Sequence, residues 1–118
     1  MPKPLDPNSI PKYVNQLFIP PTYEPTVVRD SDSCTIKGHF YRITVSQFKQ
    51  QILPEGFPET TVYGYESKVR DPETGDIIPD FKSAPGPTFE AVRHIPIKVQ
   101  WVNNLTSPQP LAVDPTIH

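Results

Sequence analysis

Three histidines and one cysteine are the side chains of this 118-residue chain best suited to hold a metal or relay a proton, and their spacing keeps them apart. His39, His94 and His118 are separated by 55 and 24 residues, so no His-x-His or His-x₃-His pair exists. Cys34 stands five residues before His39 and has no second cysteine to join it. Neither a local site of three or four metal ligands nor an internal disulfide is therefore encoded. Neighbouring carboxylates occur in two groups, Glu55 with Glu59, and Asp71, Glu73 and Asp76. The second group falls in the turn signal Asp71-Pro72-Glu73-Thr74-Gly75 and reads as a solvated loop. The chain has no Gly-x-Ser-x-Gly elbow and no phosphate-binding glycine loop, and only 5 glycines in all. No catalytic, cofactor-binding or metal-binding residue is assigned on this inventory. His39 and His94 read as surface positions beside strands, Cys34 as a small inert side chain, and Trp101 as core.

The elements that would position any site are strands. Prolines number 17 of 118, about three times the usual share of roughly 5%, and each removes a backbone donor and breaks a helix interior. Branched Ile and Val outnumber Leu by 20 to 5, which excludes a helix bundle and favours short strands between proline-punctuated loops. Residues 1–25 carry seven prolines and form an extended arm. Ile10, Tyr13, Val14, Leu17, Phe18, Ile19 and Tyr23 equip it to dock on a surface. Thr26-Val27-Val28 is a short apolar run. Between Phe40 and Val45 the chain alternates, with Tyr41, Ile43 and Val45 on one face. Phe48 and Ile52 break that phase, which predicts a bulge, or else one helical turn, within residues 46–52. A strand over Thr60 to Tyr65 follows Pro58, then a polar excursion from Glu66 to Ser83 that forms a small hairpin or loop. Pro85-Gly86-Pro87 is a stiff turn, and Thr88 to Val92 a short strand. Ile95, Ile97, Val99 and Trp101 make the clearest period-two row in the chain, which Asn103-Asn104 ends. Residues 106–118 return to loop chemistry.

Leu, Ile, Val and Phe together make up 31 of 118 residues, about 26%, enough to fold. A net charge of −2 without a long block of one sign argues against a nucleic-acid or anionic-membrane surface. No run reaches the roughly 18 apolar residues of a membrane span, and the start has no secretory signal pattern. Five to six strands and no confident helix predict an all-β, two-sheet antiparallel sandwich. Such a sandwich takes about seven strands, and the clearest strands here fall late. Residues 26–118 thus read as the first part of a domain without its closing strands.

Thr61-Val62-Tyr63-Gly64-Tyr65, then Pro85-Gly86-Pro87-Thr88-Phe89-Glu90-Ala91, then Ile97-Lys98-Val99-Gln100-Trp101-Val102-Asn103-Asn104-Leu105 occur in this order. The set resembles the first cupredoxin domain of the multicopper oxidases. Ile10-Pro11-Lys12-Tyr13-Val14, Ile19-Pro20-Pro21, Ser46-Gln47-Phe48-Lys49-Gln50 and Ala112-Val113-Asp114-Pro115-Thr116-Ile117-His118 resemble the bacterial spore-coat laccase and bilirubin-oxidase branch. The resemblance implies a cupredoxin-like Greek-key β-sandwich, incomplete here. It also implies an oxidase that couples one-electron oxidation of substrate to reduction of O₂ to water. Copper serves the full-length family through His-x-His motifs and a Cys/His₂ centre, none of which this chain carries. His118 matches the position that precedes the first ligand pair by a short segment, so no copper is expected on the chain alone. His94-Ile95 replaces the family's Gly-Asp or Gly-Glu turn, and Glu66 to Ser83 is longer than is typical. The implied partners are the remaining cupredoxin domains, or self-association through open sheet edges. The implied setting is the cytoplasm or a leaderless place in a spore coat. The alternative is a free-standing, copper-free β module for binding or assembly.

Overall fold

The computed structural model describes residues 3–31, 35–108 and 113–116. Cys34 and His118 lie outside them. The chain is all-β, an open sheet that forms an incomplete β-sandwich. Its strands are β1 (Thr22–Tyr23), β2 (Thr26–Arg29), β3 (Ile36–Gln50), β4 (Thr60–Arg70), β5 (Ile77–Ser83) and β6 (Ile97–Asn103). One short 3₁₀ turn, Pro7–Ser9, interrupts the arm and is capped by the Asp6 side chain.

The registers fix which strands share an edge. Thr44 and Val45 pair with both β4 and β6, so those two strands flank β3 on opposite sides. Phe40 pairs with Thr26 and Lys98, which places β2 on the same edge of β3 as β4. By the same logic β1 shares an edge of β4 with β3, and β5 takes the other. All pairings are antiparallel except β3 with β6, which is parallel. The β3–β4 ladder stops at Thr44↔Glu66, and beyond it the two strands diverge. The N-terminal strand passes through this fork. It pairs with β4 at Tyr23, turns at Pro25, which has no N–H for a ladder, and pairs with β3 from Thr26 onward. The Ser67 hydroxyl donates to Arg42 O at 2.9 Å, giving a partner to a carbonyl that the ending ladder leaves free.

The core fills the fork. Tyr23, Tyr41, Ile43 and Val69 are buried, with Ile78, Phe81 and Val99 packed against them. Tyr41 and Ile43 sit two apart on β3, as the alternation predicts. The expected irregularity at residues 46–52 is absent: seven consecutive pairs from Thr44 to Gln50 keep one register, and β3 runs unbroken. Phe48 changes phase because β3 carries apolar side chains on both faces, and its ring lies over Gly64. The excursion from Glu66 to Ser83 is the β4–β5 hairpin.

Two further expectations are corrected. Thr88 to Val92 is not a strand. Thr88 forms a single bridge to Thr22, with Tyr23 N–H donating to Thr88 O and Thr88 N–H to Pro21 O. Both of its backbone groups are then used by one neighbour, and the chain turns at Val92–Ile95. Trp101 is not core: it stays 57% exposed on β6, with the Tyr65 ring beside it at 5.9 Å, although its register partner Ile43 is fully buried. The exposed surface totals 9704 Å², against roughly 6,500 Å² expected of a complete globular protein of this mass. The radius of gyration, 18.7 Å, likewise exceeds the roughly 13.5 Å of a compact domain of this length.

Candidate functional site

The most organised part of the molecule is the aromatic cluster at the fork, together with the turn that closes it. Tyr23 lies edge-on to Tyr41 at 6.4 Å between ring centroids and tilts against Phe89 at 4.5 Å, while Tyr41 meets Phe89 edge-to-face at 5.1 Å. Such geometries set the positive ring edge against the negative face. Burial pushes the Tyr23 hydroxyl up to about 12, with the neighbouring Tyr65 adding to the shift. Tyr41 is raised by burial and then by the carboxylates of Glu24 and Glu90. Both phenols are thus held neutral.

Pro85-Gly86-Pro87 packs on this cluster. A Cβ on Gly86 would come within 2.8 Å of both the Tyr23 hydroxyl and the Tyr65 ring, so only glycine fits between them. The turn is held from β3 by Gln50. Its Nε2 donates to Ala84 O at 3.1 Å, and its Oε1 accepts from Ala84 N–H at 2.9 Å. The Ser83 hydroxyl donates to Pro85 O at 2.8 Å. Spacing gave no sign of the Gln50 clamp, since its ends lie 34 residues apart.

The arm meets the hairpin next to this cluster. Arg70 grips Glu24 through Nε and Nη2 at 3.0 and 2.9 Å, and that bond raises the Arg70 guanidinium further. Phe18 stacks on Phe81 at 6.3 Å. Tyr23 is buried as a docking residue should be. Tyr13, Val14, Leu17, Phe18 and Ile19 nevertheless stay mostly exposed, and the arm docks only in part.

Among the described residues, those with metal-binding or acid–base chemistry do not converge. His39 is half-buried on β3 rather than a surface residue, and its Nδ1 is buried without a described partner. His94 is exposed in the Val92–Ile95 turn, at φ 69°. Glu55 and Glu59 are exposed in the loop between β3 and β4. Asp71 accepts from Glu73 N–H at 2.8 Å and Thr74 N–H at 3.3 Å, so it builds the hairpin turn. Among the described residues no group of three His, Cys, Asp or Glu gathers to hold a metal. No helix among them is long and apolar enough to cross a membrane.

No protein-family model matches the chain. Individual proteins do. The chain is 32% identical over 110 residues to a laccase of Bacillus subtilis (strain 168), covering 93% of this chain and 17% of that protein. It is 33% identical over 96 residues to a laccase of Haloferax volcanii, covering 81% of this chain and 13% of that one. The chain is thus similar to two laccases over most of its own length, and it spans about a sixth or less of theirs. Laccases are multicopper oxidases, and copper in proteins favours imidazole and thiolate donors. His39 and His94, on separate elements, do not compose such a donor set.

Proposed function

We propose that the chain builds the first part of the first cupredoxin domain of a laccase-like multicopper oxidase, in the spore-coat laccase and bilirubin-oxidase branch. In this reading residues 1–25 are an arm that clasps the rest of the protein. Residues 26–118 supply sheet and packing surface, and the copper ligands come from elsewhere in the whole oxidase. The whole would oxidise a phenol, a bilirubin-like pigment or a metal ion one electron at a time and reduce O₂ to water. It would work in the cytoplasm or on a spore coat. The similarity to a laccase along 93% of the chain carries the reading. The excess exposed surface supports it, because a sheet with one covered face is half of a sandwich.

The test is a chimera in which this chain replaces the matching 110 residues of the Bacillus subtilis laccase. Supplied with copper, the chimera is expected to turn blue and oxidise a phenolic substrate, and the 118-residue chain alone to do neither. A chain that turns blue by itself refutes the reading. So does a chimera that folds without recovering colour or oxidation.

A further inference from the structure

We infer that the cleft between the N-terminal arm and the β4–β5 hairpin binds a small aromatic amine, a flat ring that carries one positive charge; the inference goes beyond the function proposed above and does not depend on it.

The arm crosses the hairpin as a span fixed at its two ends. At one end Asn15 Nδ2 donates to Ile52 O at 3.1 Å. At the other, Thr88 N–H donates to Pro21 O at 3.0 Å, and the Pro20-Pro21 pair keeps the approach stiff. Between those anchors, no backbone hydrogen bond joins residues 16–19 to the hairpin among the described residues. Side chains meet there instead, with the Phe18 ring parallel to that of Phe81 within 4°. A cleft of about 380 Å³ lies between arm and hairpin, within the roughly 300–1,000 Å³ usual for small-molecule sites.

The walls of the cleft are apolar and one end is acidic. Leu17, Phe18 and Ile19 line it from the arm, Ile78 and Phe81 from β5. Leu17 and Phe18 are 90% and 62% exposed, apolar surface that the fold itself does not use. Asp71 and Glu73 line the cleft at the hairpin turn. One Asp71 oxygen accepts from the N–H groups of Glu73 and Thr74. Neither carboxylate has an ion-pair partner among the described residues. The adjacent cation, Arg70, is engaged elsewhere: its Nε and Nη2 donate to Glu24 and its Nη1 to Gly75 O.

Charge and shape together select the occupant. A flat ring gains burial and stacking against Phe18 and Phe81. An ammonium on that ring meets the two carboxylates and the negative faces of the phenyl groups. A carboxylate in the same place would be repelled by Asp71 and Glu73, and a neutral ring would leave their charges unanswered. The volume suits a bicyclic molecule.

The probe is naphthylmethylamine, with naphthylacetate as its counterpart of opposite charge, each titrated into the 118-residue chain and followed by the NMR shifts of backbone amides. The amine is expected to bind about tenfold more tightly than the carboxylate, with shifts gathered at residues 16–19 and 71–81. Phe18→Ala, at an arm residue that no strand pairs with, should weaken the amine about fivefold. Glu73→Gln should weaken it about threefold and leave the carboxylate no weaker. Equal affinity for the two probes, shifts centred on Ile97 and Trp101, or unchanged binding in Phe18→Ala overturns the inference. So does an absence of shifts with the amine at millimolar concentration. None of these results bears on the proposed function, which the chimera tests separately.

Discussion

Gly64→Ala tests whether the sheet is as closely layered as the geometry requires. A Cβ at residue 64 would lie 2.5 Å from Ser83 O, and 2.7 and 2.9 Å from two atoms of the Phe48 ring. The ring can rotate away. The carbonyl cannot, because Ser83 is paired to Tyr65 and the next residue, Ala84, is clamped by Gln50. Forcing one extra carbon into such a site costs about 1–3 kcal/mol. Replacing a strand glycine returns about 0.5–1 kcal/mol of backbone entropy, so the clash wins. For a chain of this length each kcal/mol corresponds to about 3–6 °C. Gly64→Ala is therefore expected to lower the midpoint of thermal unfolding, followed by circular dichroism, by several degrees. Adding Phe48→Leu should restore only part of the loss, since the Ser83 carbonyl remains. A midpoint equal to or above the parent's, or full restoration by the double variant, refutes the reasoning.

Alkaline pH should unfold the chain through Tyr23. Its folded value near 12 lies above the ordinary 10, so the unfolded state releases the proton first. Stability is whole below pH 10 and falls as pH rises from 10 to 12, by up to about 2.7 kcal/mol. Denaturant titrations across that window read it, and Tyr23→Phe should flatten the fall. Ile43→Ala, at a side chain with 0% exposure, should lose about 2–5 kcal/mol. A loss below 1 kcal/mol in urea titration would show that the fork is not the core.

The row Ile97, Val99, Trp101 was legible because period-two alternation is a local property, and β6 forms there and ends at Asn103 as expected, but starts at Ile97 rather than Ile95. The length of β3 was not legible. Its phase change at Phe48 looks like a break in the sequence, while in space it reports apolar neighbours on both faces. The exposure of Trp101 had no local signal either, since a residue's cover comes from chain remote in sequence. Of the candidate residues, Asp71 was legible as part of a turn, since it accepts from the N–H groups of Glu73 and Thr74 within its own motif. The burial of the His39 Nδ1 atom was missed because it depends on how β2, β3 and β6 meet. Gly64 and Gly86 stood out in the sequence as motif letters, and only the packing of Phe48, Tyr23 and Tyr65 around them gives the physical reason.

The threading of the N-terminal strand through the fork has a consequence for the order in which the molecule can form. Tyr23 closes on Val69 and Thr88, contacts that span 46 and 65 residues of chain. The β4–β5 hairpin, by contrast, closes within about 20. Because loop closure must precede the reward of burial, the hairpin can assemble early and the fork only late. On a ribosome, Tyr23 waits for a further 66 residues to emerge before Phe89, its last aromatic neighbour, arrives. Until then the aromatic side chains of β3 and β4 stand open to solvent, and it is in that interval that the nascent sheet is most exposed to wrong pairings.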